Sequence, residues 1–145
     1  MEQMTILLVD DEERLLSTTK KLFDKIGIEA LTANSGREAL ELLQSREVDV
    51  IFLDIKMPGM DGIETLQRIK KSHPLTEVII LTGHATMETA VEGLKLGAQD
   101  YLIKPVSMKD FLKKAEEAFE KVTLQKQKIR SARMAEADGG QDELR

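Results

Sequence analysis

The 145-residue chain carries a net charge of −5, with 26 Asp and Glu against 21 Lys and Arg, and it contains no cysteine. This acidic balance argues against direct nucleic-acid binding by the chain, and the lack of cysteine excludes disulfides and thiolate metal sites. No apolar run approaches the ~20 residues of a membrane span, and the N-terminus does not resemble a signal peptide. We therefore expect a cytoplasmic protein without a membrane partner.

Five apolar segments recur along the chain, and each is followed by an amphipathic stretch. The predicted strands cover residues 5–10, 29–33, 48–54, 77–82 and 100–104. The runs I-L-L-V, V-I-F-L and V-I-I-L in the first, third and fourth segments are typical of strands buried on both faces of a parallel sheet. The second and fifth segments are more polar, which favours positions at the sheet edges.

The stretches between these strands have the spacing of helices. Apolar side chains in the first helix form one stripe: Leu15, Leu16, Thr19, Leu22, Phe23 and Ile26. Three pairs predict capped helix starts, namely Ser35 with Glu38, Asp61 with Glu64, and Ser107 with Asp110. Gly27 and Gly97 stand where helices should end.

Five successive strand–helix units with right-handed crossovers predict an α/β fold, a doubly wound five-stranded parallel sheet of the flavodoxin-like (βα)5 type. The order 2-1-3-4-5 places the two polar strands at the edges. Residues 1–122 are predicted to form the domain, and residues 123–145 a helix extension that ends in a disordered tail or linker. We expect either a stand-alone protein or a piece cut from a longer one before its effector.

Ligands of such sheets bind at the carboxyl ends of the strands, near the switch in winding. Four predicted strands end in side chains suited to chemistry: Asp10 and Asp11, Asp54, Thr82, and Lys104. Neighbouring strands lie ~4.8 Å apart, so the first and third strands should bring three carboxylates together. Such a cluster favours a hard cation, and Mg²⁺ fits best, with Mn²⁺ as an alternative. A cation, a hydroxyl and an ammonium around one aspartate predict phosphoryl transfer with that aspartate as nucleophile.

Four motifs carry a resemblance to a known family: L-L-V-D-D-E, F-L-D-I-K-M-P-G-M-D-G, V-I-I-L-T-G-H-A and G-A-Q-D-Y-L-I-K-P. Together they resemble the receiver domain of two-component response regulators, over residues 4 to about 122. The resemblance implies that Asp54 is the phosphoacceptor and that Asp11 binds the metal directly. It implies that Asp10 acts on the metal through water and that the Lys56 backbone carbonyl completes the metal site.

The same resemblance implies further roles near the end of the sheet. Thr82 matches the switch hydroxyl, Lys104 the phosphate-binding lysine and Tyr101 the aromatic switch residue. The bond before Pro105 matches one that is cis in the family. The implied partner is a sensor histidine kinase or a histidine phosphotransfer protein, and a phosphorylation-dependent homodimer is a further family property. The implied output surface comprises the fourth helix, fifth strand and fifth helix. His84 and Lys56 are candidates for tuning the access of water to the phosphoryl group.

Each candidate also has a purely structural interpretation. Asp10 and Asp11 are suited to cap the first helix, Asp54 to a turn, Thr82 and Lys104 to ordinary strand ends, Tyr101 to a half-buried strand and His84 to an exposed loop. Two functional alternatives remain open besides a signalling domain without external turnover. One is a hydrolase with an aspartyl-phosphate intermediate, and the other is a pseudo-receiver that acts without phosphorylation. A dinucleotide-binding domain is disfavoured because no G-x-G-x-x-G follows the first strand.

Overall fold

Five parallel strands form one sheet in the predicted order, so the fold prediction is confirmed. The computed structural model describes residues 3–56, 61–83 and 87–143. The strands, in chain order, are Thr5–Val9 (β1), Glu29–Ala33 (β2), Val50–Asp54 (β3), Glu77–Thr82 (β4) and Asp100–Ile103 (β5). Hydrogen-bonded neighbours follow the order β2-β1-β3-β4-β5. The helices are Glu13–Lys25 (α1), Gly36–Ser45 (α2), Gly62–Ser72 (α3), Met87–Lys95 (α4) and Met108–Glu143 (α5).

Three strands are shorter than predicted, and two of these differences fall at the candidate site. β1 ends at Val9 and β5 at Ile103, so Asp10 and Lys104 each lie one residue beyond a strand. Both keep one sheet hydrogen bond, because the Asp10 N–H donates to the Ala33 carbonyl at 3.1 Å and the Lys104 N–H to the Thr82 carbonyl at 2.8 Å. The backbone is therefore fixed at these positions although the regular strand has ended.

Alternating residues of the central strands fill two cores, one on each face of the sheet. Leu7, Ile51 and Ile80 belong to the core that packs under α2, α3 and α4. Leu8 and Phe52 belong to the core under α1 and α5, where three Phe rings lie with centroids 5.0 to 6.4 Å apart. β1, β3 and β4 are almost wholly buried, whereas β2 and β5 are partly exposed. The predicted assignment of edges is confirmed.

The predicted helix caps and glycine ends are confirmed, but fewer residues of the predicted apolar stripe of α1 are buried than expected. Side-chain oxygens of the predicted capping residues accept the expected backbone N–H bonds in all three pairs. Gly27 and Gly97 have φ angles of +80° and +111°, which glycine adopts without strain. In α1, Leu16, Thr19 and Phe23 are buried. Leu22 is 40% exposed, and Ile26, the residue after the helix, is 50% exposed.

The end of α5 differs from the sequence prediction. The helix continues to Glu143, through residues for which disorder was predicted. Elongation of an existing helix adds one backbone hydrogen bond per residue, so it does not require the packing that starting a helix requires. Packing against the domain ends earlier: Val122 is 1% exposed, and the described side chains after it are half-buried or exposed. Among the described residues, no helix is long and apolar enough to cross a membrane.

The cap of α2 provides a test of the fold's local energetics. The Ser35 hydroxyl accepts the Glu38 N–H at 3.1 Å, and we expect Ser35→Ala to lower the free energy of unfolding by about 1 kcal/mol. Ser45→Ala is the matched control, because the exposed Ser45 hydroxyl makes only a 3.4 Å bond to the Leu42 carbonyl in the last turn. Urea unfolding followed by circular dichroism measures both. Equal losses in the two variants would contradict the assigned cap.

Candidate functional site

Four of the polar residues predicted from the sequence meet at the carboxyl edge of the sheet. Asp10 follows β1, Asp54 ends β3, Thr82 ends β4 and Lys104 follows β5. The strand register accounts for their proximity. Val9 pairs with Leu53, so the next residues, Asp10 and Asp54, lie side by side. Asp54 pairs with Leu81, so Thr82 lies one residue further along β4. The expectation that these side chains converge is therefore confirmed.

A single ammonium group joins two buried carboxylates at the centre of the site. Lys104 Nζ lies 2.6 Å from Asp10 Oδ2 and 3.3 Å from Asp54 Oδ2. Asp10 is 2% exposed and Asp54 6%. Burying a carboxylate is costly unless it is paired and hydrogen-bonded. Lys104 therefore compensates two acids at once, and the site keeps an excess of negative charge.

The second oxygen of each buried carboxylate is bound by a backbone amide two residues later. The Glu12 N–H donates to Asp10 Oδ1 at 3.0 Å, and the Lys56 N–H donates to Asp54 Oδ1 at 3.1 Å. These bonds fix the orientation of both carboxyl groups. They also show that Asp10 does not cap α1 in the usual way, because the capping residue of that helix is Glu12, which makes no side-chain cap bond.

The surroundings of the site raise the pKa of both Asp54 and Lys104. Burial raises the pKa of Asp54, and the neighbouring Asp10 charge adds to this, while the Lys56 amide and Lys104 oppose it. Burial lowers the pKa of Lys104, but its hydrogen bond to Asp10 and the charges of both acids outweigh that effect and raise it. Lys104 is thus a fixed positive charge at neutral pH, beside a carboxylate that burial destabilises in its charged form.

Asp11 completes a cluster of three acids that is able to hold a metal ion. Carboxylate oxygens of Asp10, Asp11 and Asp54 lie within 4.8 Å of one another, and Asp11 is exposed to solvent. Three oxygen donors, one of them accessible, suit a hard divalent cation that retains water ligands. Lys56 has an exposed side chain, and the role of its carbonyl as a further ligand stays a prediction.

Thr82 and Tyr101 lie on the same face of the sheet. The Thr82 side chain is 1% exposed, and its hydroxyl donates to the Gly83 carbonyl at 2.9 Å. Tyr101 pairs with Ile80, two residues before Thr82, and packs half-buried against the core under α4. Because side chains two residues apart on a strand share a face, both residues adjoin the same helical layer. Their coupling stays a prediction.

Two further predictions have different outcomes. The peptide bond between Lys104 and Pro105 is cis, as predicted. His84 lies outside the described residues. Glu12 was not among the candidate site residues, yet its Oε1 lies 3.8 Å from Lys104 Nζ and its N–H orients Asp10. Its position directly after the two aspartates was the only available indication of this second contact.

Comparison with known proteins identifies the family. The family model described as response regulator receiver domain matches residues 6–116. The transcriptional regulatory protein ZraR of Escherichia coli O157:H7 is 44% identical over 105 residues, which are 72% of this chain and 24% of that protein. The DNA-binding transcriptional regulator NtrC of Escherichia coli K12 is 36% identical over 118 residues, 81% of this chain and 25% of NtrC. The chain thus spans about a quarter of the length of these curated relatives.

A solved structure supports the same assignment. The response regulator receiver domain protein from Clostridium thermocellum superposes with a TM-score of 0.80 at 38% sequence identity. The match covers 84% of this chain and 98% of that protein chain. The similarity therefore extends over nearly the whole of a solved receiver domain chain.

The raised pKa of Asp54 predicts a pH-dependent cost of folding. Because folding raises this pKa above the unfolded value of 3.8, ionised Asp54 destabilises the folded state at pH values above the folded pKa. The effect disappears as pH falls through the folded pKa towards 3.8. We expect Asp54→Asn to be more stable than wild type at neutral pH in chelator-containing buffer, with an advantage that shrinks on acidification.

The control for this experiment is Asp61→Asn. Asp61 is exposed and accepts the Glu64 N–H at 2.7 Å, a cap that asparagine also forms. Urea unfolding across the acidic to neutral range measures both variants. A stability difference for Asp54→Asn that is constant with pH, or that varies with pH no differently from that of Asp61→Asn, would show that ionised Asp54 carries no folding penalty.

Proposed function

This chain belongs to the response regulator receiver family, and from that membership we propose that it accepts a phosphoryl group from a phosphohistidine onto Asp54. The observation that carries the proposal is the buried Asp54 carboxylate held between the Lys56 amide and Lys104, beside Asp10 and Asp11. The proposed donor is a sensor histidine kinase or a histidine phosphotransfer protein.

The proposed reaction is an in-line displacement at phosphorus. An oxygen of the Asp54 carboxylate forms the new O–P bond while the P–N bond of the phosphohistidine breaks, and the electron pair leaves with the imidazole nitrogen. Lys104, 3.3 Å from Asp54 and held protonated by its acidic neighbours, supplies positive charge to the transferred oxygens. Mg²⁺ or Mn²⁺, held by the three acids and the Lys56 carbonyl, would neutralise further charge on those oxygens.

The proposed response to phosphorylation begins at Thr82 and Lys104. A phosphoryl group adds a charge of about −1.5 to −2. Its oxygens would compete for the Thr82 hydroxyl, which otherwise donates to Gly83, and would draw on the Lys104 ammonium. Tyr101, on the same face of the sheet as Thr82, would then move inward. The surface of α4, β5 and α5 would change by a shift between two packings.

This function is that of a signalling domain and not of an enzyme that turns over external substrates. Slow loss of the phosphoryl group to water would reset it. The curated relatives are named as a transcriptional regulatory protein and a DNA-binding transcriptional regulator. We therefore propose transcription as the process that this receiver controls, without nucleic-acid binding by the receiver itself, and a phosphorylation-dependent homodimer as one route to it.

Phosphorylation of the isolated chain tests the proposal against its alternatives. With acetyl phosphate and Mg²⁺, we expect one acid-stable, base-labile phosphoryl group on wild type and none on Asp54→Asn, measured by intact-protein mass spectrometry. Asp49→Asn is the control, since Asp49 lies at the opposite edge of the sheet and accepts the Thr5 N–H. Steady hydrolysis of a phosphate monoester would indicate the hydrolase instead. Absence of both phosphorylation and Mg²⁺ binding would indicate the pseudo-receiver.

The proposed switch has a built-in optical probe. Tyr101 is the only tyrosine and the chain has no tryptophan, so its ultraviolet fluorescence reports this residue alone. We expect phosphorylation to change that fluorescence in wild type. In Thr82→Ala we expect Asp54 to be phosphorylated still, although the fluorescence change is lost because the hydroxyl that links the two sites is missing.

The control for the switch is Thr65→Ala, which removes a buried hydroxyl that donates to the Asp61 carbonyl at 2.9 Å. This variant should keep the fluorescence response. A full response in phosphorylated Thr82→Ala would rule out the proposed role of Thr82.

A further inference from the structure

Gly62, the first residue of α3, packs against the backbone that carries the candidate phosphoacceptor. A methyl group placed on Gly62 would overlap the Ile55 Cα, and it would lie 2.9 Å from the Ile55 Cβ and 3.0 Å from the Asp54 carbonyl oxygen. Two of these three atoms belong to the main chain. Rotation of a side chain cannot therefore relieve the overlap, and either α3 or residues 54–55 would have to move.

The same backbone segment is held from its other side by β4. The Ile55 N–H donates to the Leu81 carbonyl at 3.3 Å, and the Gly62 N–H donates to the Ile55 carbonyl at 3.3 Å. Ile55 is 5% exposed. The residue after Asp54 is thus confined between β4 and the first turn of α3, and the absence of a side chain at Gly62 determines how closely the two can approach.

We propose that Gly62 is a positioning residue for Asp54, which sets the place of its carboxylate relative to Asp10, Asp11 and Lys104. The proposal rests on the phosphoacceptor function proposed above. Gly62 touches no reacting group, and it acts through the main chain of residues 54–55. Displacement of that chain would separate Asp54 from the other two acids and from the ammonium, although each of these side chains would remain present.

Two other glycines provide matched comparisons, because a methyl group on either would meet side chains and not the backbone of the site. Gly36 is the first residue of α2, as Gly62 is of α3, and its added methyl would overlap the Thr65 hydroxyl. Gly93 lies within α4, and its added methyl would overlap the tip of Ile80. Because neither added methyl would meet the main chain of residues 54–55, these substitutions should leave Asp54 in place.

The experiment compares Gly62→Ala, Gly36→Ala and Gly93→Ala at a temperature at which circular dichroism shows each to be folded. Calorimetry measures the Mg²⁺ dissociation constant, and mass spectrometry measures the rate of phosphorylation by acetyl phosphate. For Gly62→Ala we expect Mg²⁺ binding to weaken about tenfold and phosphorylation to slow by about tenfold or more. For the other two variants we expect both quantities within about twofold of wild type.

The outcomes separate this proposal from the proposed function. If wild type binds Mg²⁺ but is not phosphorylated, the phosphoacceptor function fails, and Mg²⁺ binding alone decides the role of Gly62. Wild-type values of both quantities in folded Gly62→Ala would overturn the positioning role. Equal losses in all three variants would overturn it too, since a general effect of crowding would explain them. A wild type that neither binds Mg²⁺ nor accepts phosphate would overturn both proposals.

A measurement on wild type covers the case in which Gly62→Ala does not fold. If the first turn of α3 moves together with the backbone of residues 54–55, Mg²⁺ binding should shift the amide resonance of Gly62 in the ¹H–¹⁵N spectrum. The Gly36 and Gly93 amides, which lack this connection, should shift less. A Gly62 resonance that stays in place while Mg²⁺ binds would contradict the proposal.

Discussion

Two buried carboxylates that share one ammonium group form the interaction on which the site depends. Asp10 and Asp54 are buried, and the Lys104 ammonium and two backbone amides together bind all four of their carboxylate oxygens, which offsets the cost of burying them. Asp10 follows β1, Asp54 ends β3 and Lys104 follows β5, and of these three strands only β1 and β3 are neighbours. The long lysine side chain reaches past β4 to contact both acids. The site therefore depends on the parallel direction and the order of the strands.

At the amino ends of the strands, opposite the candidate site, positive side chains outnumber the buried acid. Glu77, the first residue of β4, is 2% exposed and lies 3.8 Å from Lys70 Nζ and 3.6 Å from Lys121 Nζ. The buried Glu77 carboxylate thus lies near two lysines. At the carboxyl ends of the strands, by contrast, Lys104 alone contacts two buried carboxylates, and Asp11 adds a third carboxylate. An acid between two lysines requires no external ion. In the part of the chain that the structure describes, the acidic cluster able to hold a cation lies at the carboxyl ends of the strands. The same sheet thus carries a structural charge cluster at one end and a candidate reactive one at the other.

The sequence predicted the features that depend on local pattern or on strand order. Apolar runs identified the strands, and polarity separated edge strands from central ones. The common direction of parallel strands then placed Asp10, Asp54, Thr82 and Lys104 at one edge. The sequence could not predict interactions that depend on side-chain reach or on the distance between backbones. The dual contact of Lys104, the approach of Glu12, the burial of Glu77 and the contact of Gly62 with Ile55 are of this kind. The helix extension beyond Val122 was predicted, but its length to Glu143 was not, because the composition there lacks an apolar stripe, although an existing helix needs none to continue.

The position of Lys104 gives a short physical connection between Asp54 and the helix that leaves the domain. Its ammonium contacts Asp54, its N–H is bonded to the Thr82 carbonyl, and α5 begins four residues later at Met108. A change of charge at Asp54 therefore acts on a side chain whose own backbone belongs to the segment between β5 and α5. α5 packs on the sheet through Phe111, Ala115, Ala118 and Val122 and then continues beyond it, so a displacement at its start would act on a helix that extends past the core. In the proposed function, the lysine that would bind the phosphoryl group is thus joined to that helix by only three intervening residues.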